Sequence, residues 1–244
     1  MPRFFVGPDV IEGKFAVLTG EAAAHAKVLR LQQGEEVTLC TGDGTDYICT
    51  VSDVSPGQYS LVIGSSRPSE TEPKLKCSIY MAFAKGDKLE HVIQKATELG
   101  AAEIVAFPSS RCVSRPDEKS LKKKLERWQK IAAEAAQQSG RGAIPQVLAL
   151  PSYQEALSRA AEAELSVLLY ENEDNYSLRQ AAAAGAFTTA SLMTGPEGGF
   201  TAEEVARAKE AGLQICTLGK RILRCETAPL CAISALMFAA GELG

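Results

Sequence analysis

Three cationic side chains lie close together in residues 218–230, LGKRILRCETAPL. They are Lys220, Arg221 and Arg224, and Glu226 follows them. A fixed guanidinium can stabilise an oxygen that gains negative charge during a reaction, and a carboxylate can accept a proton or orient the arginine. The alternatives are a strand-to-helix connection with solvated charges and a Glu226 carboxylate that only caps the following helix. The segment therefore predicts either a site that stabilises an anion or an ordinary loop.

A glycine-rich turn, GPEGGF at residues 195–200, follows a short apolar run and precedes a predicted helix. Its three glycines allow positive φ angles and a close approach of the backbone to a ligand. Thr201 and Glu204 have the spacing of a capping box at the helix start. Glutamates in the turn and in the first helical turn disfavour a phosphate ligand, and neither a GxGxxG motif nor a P-loop lysine is present. The turn therefore suits a neutral or cationic ligand, unless it is a turn without a ligand.

Alternating strands and helices must position these two loops. From residue 75 onward, short apolar runs alternate with amphipathic stretches, which predicts an α/β fold with a mostly parallel sheet covered on both faces. Ligands of such sheets bind beyond the carboxyl ends of strands, where both loops lie. The predicted strands are residues 76–82, 103–108, 146–149, 165–170, 190–194 and 214–217, and the predicted helices are residues 87–99, 120–139, 153–163, 177–184, 201–211 and 228–242.

Residues 1–66 have a different pattern, which predicts a separate small β-barrel domain. Five short segments rich in β-branched residues are separated by Gly, Asp and Pro, and one helix is predicted at residues 21–31. Residues 67–74, RPSETEPK, contain two prolines and no large apolar side chain, and predict a linker to a second domain at residues 75–244. The predicted strands of the first domain are residues 4–6, 14–18, 36–40, 47–54 and 59–65.

The composition argues against several classes of protein. Hydrophobic residues make up 45% of the 244 residues, yet no apolar run reaches the length of a membrane span and the start lacks a signal-peptide pattern, so we expect a cytoplasmic protein without a membrane partner. Seven cysteines without a CxxC pair, with only two histidines, predict reduced, buried thiols and no metal site. The net charge of −4 disfavours indiscriminate nucleic-acid binding, but residues 111–141 hold nine Lys or Arg and four Asp or Glu.

The two loops together resemble the cofactor-binding motifs of the SPOUT class of RNA methyltransferases. More narrowly, they are similar to the RsmE family, which methylates N3 of a uridine in 16S ribosomal RNA. Three further segments carry the resemblance over nearly the whole chain: HAKVLRL at residues 25–31, KGDKLEHVIQKATELG at residues 85–100 and RWQKIAAEAAQQSGR at residues 127–141. Cys225 stands where the family commonly carries threonine. Because threonine cannot form a thiolate, we do not expect covalent attack from this position.

The resemblance implies S-adenosyl-L-methionine (SAM) as the cofactor, a PUA-like RNA-binding first domain and a SPOUT-type trefoil knot in the second. It implies Arg224 as the group that stabilises the oxyanion, and Glu226 as the proton acceptor or as the residue that orients Arg224. The residues that it implies for cofactor binding are Tyr170, Gly195, Pro196, Gly198, Gly199, Leu218, Gly219, Ile222, Leu223 and Thr227.

The implied partners are 16S ribosomal RNA or the small ribosomal subunit, and a second copy of the chain through the apolar helix at residues 228–242. Without the resemblance, basic residues on a helix are more often a solvated face, and His25 a surface or packed histidine. Two other functions stay open: a non-catalytic RNA-binding assembly factor, which would bind no cofactor, and a ribose 2′-O-methyltransferase of the same superfamily. The residues implied for RNA binding are His25, Lys27, Arg30, Arg111, Lys123, Arg127, Lys130 and Arg141.

Overall fold

A computed structural model describes residues 1–243 of the chain. The chain divides into two compact units, of which the first comprises Met1–Glu72 and Ala136–Ile144. The second comprises Pro73–Ala135 and the chain from Pro145 onward. This division differs from the predicted boundaries in two ways. A strand runs to Pro68, into the predicted linker, and a segment of nine residues that the sequence assigned to the second domain belongs to the first unit.

The first unit is built on one six-stranded sheet with the strand order β1-β4-β5-β6-β3-β2. Neighbouring strands are antiparallel except β1 and β4, which are parallel. A tight turn joins β5 to β6, and it contains Gly57 at a φ of +74°, a backbone conformation that glycine adopts without steric cost. The strands are β1 (Arg3–Phe5), β2 (Ile11–Glu12), β3 (Phe15–Leu18), β4 (Glu36–Cys40), β5 (Thr45–Ser55) and β6 (Gln58–Pro68), and one helix, α1, spans Gly20–Val28.

Side-chain alternation along the strands forms the core of this unit. In β3, Ala16 and Leu18 are buried, whereas Phe15 and Val17 are exposed on the other face, as the period of two in a strand requires. The five predicted strands and the helix are all present, and the additional strand β2 has only two residues. The core residues include Phe4, Leu18, Ala26, Leu39, Val51 and Leu61.

The second unit contains a six-stranded, entirely parallel sheet with the strand order β12-β10-β11-β7-β8-β9. All five residues of β10 are buried, which is typical of a strand covered by helices on both faces. The strands are β7 (Lys76–Ala82), β8 (Glu103–Phe107), β9 (Gln146–Ala149), β10 (Leu165–Leu169), β11 (Thr189–Thr194) and β12 (Gln214–Cys216), and the helices are α2 (Lys88–Glu98), α3 (Glu118–Ser139), α4 (Tyr153–Ala160), α5 (Leu178–Ala183), α6 (Ala202–Glu210) and α7 (Thr227–Ala239).

The last helix, α7, closes the second unit. It packs against α2 and α5 and against strands β7 and β11, and its buried side chains include Ile233, Leu236 and Met237. Phe238, in contrast, is 72% exposed on the same helix. Across residues 1–243, every helix is too short or too polar to span a membrane. All seven cysteine thiols are free, and the expectation that they are buried is wrong for Cys231, which is exposed.

Candidate active site

A cavity of about 580 Å³ lies beyond the carboxyl ends of β10, β11 and β12. Its walls come from the ends of these strands and the residues that follow them: Leu169–Glu171 at the end of β10, the glycine turn after β11 and residues 217–225 after β12. Lys88, Asp174 and Ala228 complete the lining. The volume lies within the range of small-molecule sites. The fold therefore brings the two loops that the sequence singled out to one cavity.

Most of the predicted cofactor-binding residues line this cavity. Thr227 is the exception. This first residue of α7 is exposed and does not line the cavity. Ile222 lines the cavity but leaves 83% of its surface exposed. The predicted residues in the lining are Tyr170, Gly195, Pro196, Gly198, Gly199, Leu218, Gly219, Ile222 and Leu223.

Close backbone approach explains the glycines of the turn. The N–H of Gly199 donates to the carbonyl of Pro196 at 2.9 Å, and the φ of Gly199 is +65°. A Cβ at Gly199 would collide with the carboxylate of Glu171, and one at Gly195 would lie 3.0 Å from the Gly199 backbone. Side chains at either position would thus distort the turn.

The helix after the turn begins with the predicted capping box. The Thr201 hydroxyl accepts from the Glu204 N–H at 3.2 Å, and the Glu204 carboxylate accepts from the Thr201 N–H at 2.8 Å. The second Glu204 oxygen accepts from the N–H of Ser110 at 2.7 Å. These bonds satisfy free N–H groups at the start of α6 and anchor the end of the glycine turn.

The loop after β12 carries the cations. The Thr217 hydroxyl accepts from the N–H of Gly219 at 3.1 Å, and Gly219 has a φ of +102°. The side chains of Lys220, Arg221 and Arg224 are exposed and line the cavity. The carbonyl of Arg224 accepts the first hydrogen bonds of α7, from the N–H groups of Thr227 and Ala228. The start of α7 therefore fixes the backbone that carries Arg224.

Glu226 lies beside two groups that hold it as an anion. Its carboxylate is 3.8 Å from the ammonium of Lys88 and accepts a hydrogen bond from the Cys225 thiol at 3.2 Å. Partial desolvation acts to raise the pKa of Glu226, but hydrogen bonds from its own backbone and from Cys225, with the charges of Lys88 and Arg224, leave that pKa below its ordinary value. Glu226 is thus a weak base at neutral pH.

The Cys225 thiol is poorly suited to nucleophilic attack. Burial and the hydrogen bond to Glu226 raise the pKa of Cys225 to about 12. A thiol in this environment stays protonated at neutral pH, whereas the nucleophile in covalent catalysis is the thiolate.

Comparison with known proteins identifies the family. A family described as an RNA methyltransferase domain matches residues 71–237, and one described as an RNA methyltransferase PUA domain matches residues 18–64. Ribosomal RNA small subunit methyltransferase E of Bacillus subtilis is 38% identical over 247 aligned residues, with 98% of this chain and 96% of the relative covered. The chain belongs to the RsmE family of RNA methyltransferases.

Two solved structures in this fold hold the cofactor of the class. Ribosomal RNA small subunit methyltransferase E from Neisseria gonorrhoeae, bound to S-adenosyl methionine, is 34% identical with a TM-score of 0.85, covering 98% of this chain and 97% of that one. A methyltransferase from Legionella pneumophila in complex with SAM is 32% identical with a TM-score of 0.85, covering 97% of both chains.

The cations predicted for RNA binding in this RsmE-family chain have different environments. Lys123, Arg127 and Lys130 are exposed on α3, and Arg127 pairs with Glu90 at 2.6 Å. Arg111 is exposed and donates to the Gly198 carbonyl at 2.7 Å, beside the glycine turn.

The other four predicted RNA-binding residues belong to the first unit. His25, Lys27 and Arg30 are exposed at the end of α1, although the ring of His25 also packs edge-on against Phe4 at 5.5 Å. Arg141, in contrast, is only 5% exposed and pairs with Glu72 at 2.7 Å. A buried guanidinium with a carboxylate partner cannot reach a phosphate, so Arg141 is excluded from the RNA surface.

Sequence reasoning missed three charged residues of the cavity: Lys88, Glu171 and Asp174. Lys88 lies in the family-like segment 85–100, and the two acids follow a predicted strand at its carboxyl end, which is where such sheets place ligand-binding residues. That position was the available signal for Glu171 and Asp174.

Proposed function

We propose that this chain is a SAM-dependent methyltransferase that methylates N3 of a uridine in 16S ribosomal RNA. The observation that carries the proposal is the cavity in which the glycine turn and the arginine-bearing loop meet. Membership of the RsmE family supports it, since the B. subtilis relative is a ribosomal RNA small subunit methyltransferase. The SAM-bound relatives, at 34% and 32% identity over nearly the whole chain, support the cofactor.

The residues of the cavity fit SAM. The glycine turn offers backbone without Cβ atoms, Leu218 and Leu223 offer apolar surface, and Glu171 and Asp174 place carboxylates at the rim. Carboxylates suit a ligand with a sulfonium and an ammonium group, whereas they would repel a nucleotide phosphate. When bound, SAM supplies a methyl group attached to a cationic sulfur.

Arg224 carries the proposed catalytic role. N3 of uridine must lose its proton before it can be methylated, and the negative charge that results spreads onto the ring oxygens. A guanidinium beside these oxygens favours the deprotonated ring. Arg224 is exposed at the cavity, so a uridine of the RNA can reach it from solvent. Glu226, with its lowered pKa, is better suited to orienting this loop than to accepting the proton.

We propose that the RNA lies on the exposed cations Lys123, Arg127 and Lys130 of α3 and on Arg111, with His25, Lys27 and Arg30 as contacts of the first unit. Phosphate neutralisation supplies most of the affinity of such surfaces. Because the chain is acidic as a whole, these local cations and not the overall charge would attract RNA. A ribosomal substrate also implies a cytoplasmic location.

We propose further that the chain forms a homodimer through α7 and that its carboxyl-terminal region forms a trefoil knot. Phe238 and Cys231 are exposed on the apolar helix α7. Burial of this exposed apolar face against a second copy would be favourable. The knot rests on the resemblance to the SPOUT class, which membership of the RsmE family supports. A monomer in light scattering at micromolar concentration would contradict the dimer.

Two measurements test the proposed function. Calorimetry with SAM should show binding, which a non-catalytic assembly factor would lack. Mass spectrometry of 16S ribosomal nucleosides from cells without this gene should show the loss of N3-methyluridine, and re-expression should restore it. Loss of a 2′-O-methylated nucleoside instead would favour the ribose methyltransferase.

A further inference from the structure

One ammonium group joins three chain segments beside the cavity. The Nζ of Lys88, at the start of α2, lies 2.9 Å from a carboxylate oxygen of Glu197 in the glycine turn. The same Nζ lies 3.8 Å from a carboxylate oxygen of Glu226, which precedes α7. Lys88 itself lines the cavity. The two loops that form the site are therefore connected through a side chain from a third segment.

Glu197 is held by a second donor from the same segment. The backbone N–H of Lys85 donates to the Glu197 oxygen that pairs with Lys88, at 2.9 Å. The side chains of Lys88, Glu197 and Glu226 are 26–27% exposed, so solvent screens these contacts less than it screens an ion pair on an open surface. Desolvation acts against the Glu197 anion, but the bonds from Lys88 and Lys85 outweigh it and lower the pKa of Glu197.

Cys225 extends the contacts of Lys88. Its thiol donates to the same Glu226 oxygen, Oε2, that faces Lys88, at 3.2 Å. A hydroxyl at this position could donate in the same way, and with a stronger bond than a thiol. The departure from threonine at Cys225 thus preserves a hydrogen-bond donor to Glu226.

We propose that Lys88 is a positioning residue for the cofactor cavity, which acts by holding Glu197 and Glu226 and thereby the glycine turn and the loop of Arg224. The proposal rests on the proposed function. Without the ammonium, two carboxylates that now share one cation would lie close together beside the cavity. Their repulsion would displace the turn that carries Gly198 and Gly199 and the helix start that fixes Arg224.

The test compares Lys88→Met with Lys88→Arg and with a control on the same helix. We expect Lys88→Met to weaken SAM binding in calorimetry by about tenfold or more, in line with the coupling energies of interacting charged residues, and to lower kcat for methyl transfer as well. Lys88→Arg keeps a cation and should restore part of both. Lys95→Met removes an ion pair of α2 with Glu98 that lies outside the cavity, so it should leave SAM affinity and kcat unchanged.

A double-mutant cycle separates positioning from a general loss of structure. If Lys88 acts through Glu197, then Glu197→Gln should lower SAM affinity, and the combination with Lys88→Met should cost less than the sum of the two single changes. Cys225→Val, which removes the donor to Glu226, should lower kcat, and Cys225→Thr, which keeps a donor, should lower it less.

The outcomes also distinguish this proposal from the proposed function. Wild-type SAM affinity and kcat in folded Lys88→Met, or fully additive effects in the cycle, would overturn the role of Lys88 while leaving the methyltransferase intact. Absence of SAM binding in the wild-type chain would instead overturn the proposed function.

Discussion

The guanidinium of Arg141 lies 2.7 Å from the carboxylate of Glu72, and both side chains are largely buried, at 6% and 14% exposure. The Glu72 carboxylate also accepts the backbone N–H groups of Gly142 and Ala143, at 2.9 and 3.1 Å. Through these bonds, Glu72 ties the segment Ala136–Ile144 into the first unit. The contact gives Arg141 a role in stability and not in RNA recognition.

Arg141→Met should therefore destabilise the protein strongly. Removing one partner of a buried ion pair leaves an uncompensated charge and typically costs about 3–5 kcal/mol in the free energy of unfolding. Arg127→Met is the matched control, since Arg127 also pairs with a glutamate but is 70% exposed, and should cost less than about 1 kcal/mol. Urea unfolding of the two variants provides the measurement, and equal losses would contradict the structural role of Arg141.

The same pair predicts how stability depends on pH. Burial acts to raise the pKa of Glu72, but the Arg141 hydrogen bond and charge, with two backbone N–H groups, lower it below the ordinary value of 4.5. A lowered pKa in the folded state gives a stabilisation that is complete above about pH 4.5 and is lost as the pH falls through the folded-state pKa. The gap in unfolding free energy between wild type and Arg141→Met should therefore narrow from pH 6 to pH 3. A gap that stays constant would contradict a lowering of the Glu72 pKa by Arg141.

The sequence predicted the elements better than the contacts between distant residues. Every predicted helix and strand is present, with ends within three residues of those predicted, because apolar periodicity and capping residues such as Thr201 are local signals. Arg141 was misassigned because neither the family resemblance nor a count of charges along the chain reveals its pairing with Glu72, 69 residues earlier. Lys88 was missed for the same reason, since 109 residues separate it from Glu197.

Arg30 combines an unfavourable backbone with an exposed side chain. Among residues 1–243 it is the only non-glycine residue at positive φ, +57°, in the position after α1 where glycine is usual. This backbone conformation costs an L-residue roughly 1–2 kcal/mol. Glycine avoids that cost but loses more conformational entropy on folding, which offsets part of the gain. Arg30→Gly should thus raise the free energy of unfolding by about 0.5–1 kcal/mol while weakening RNA binding.

The control for Arg30 is alanine. Arg30→Ala removes the same side chain but keeps the strained backbone, so it should weaken RNA binding equally without the gain in stability. Thermal unfolding and RNA titration of both variants measure the two effects. Unchanged RNA affinity in both would remove Arg30 from the RNA surface.

The exposed cations of α3 should contribute to RNA affinity through phosphate contacts. Replacing Lys123, Arg127 and Lys130 with alanine should weaken RNA binding and reduce the salt slope by roughly one for each lost contact. SAM affinity should not change, because these residues lie outside the cavity lining. Fluorescence titrations over a series of salt concentrations provide the slope, and an unaltered slope in the triple variant would show that the helix face is merely solvated.

Arg224 is the residue at which catalysis and binding can be separated. Arg224→Ala removes the proposed partner of the uridine oxyanion, and losses of this kind typically cost on the order of a hundredfold or more in rate. Lysine keeps the charge but loses the planar fork of donors, so Arg224→Lys should recover only part of the rate. Higher pH should raise the rate of Arg224→Ala more than that of the wild type. At higher pH, solvent removes more of the uridine N3 proton, whose loss the guanidinium otherwise favours. Single-turnover methyl transfer at saturating SAM and RNA, over a series of pH values, isolates the chemical step from binding. A wild-type rate for Arg224→Ala at saturation would make Arg224 a binding residue and would refute its catalytic assignment.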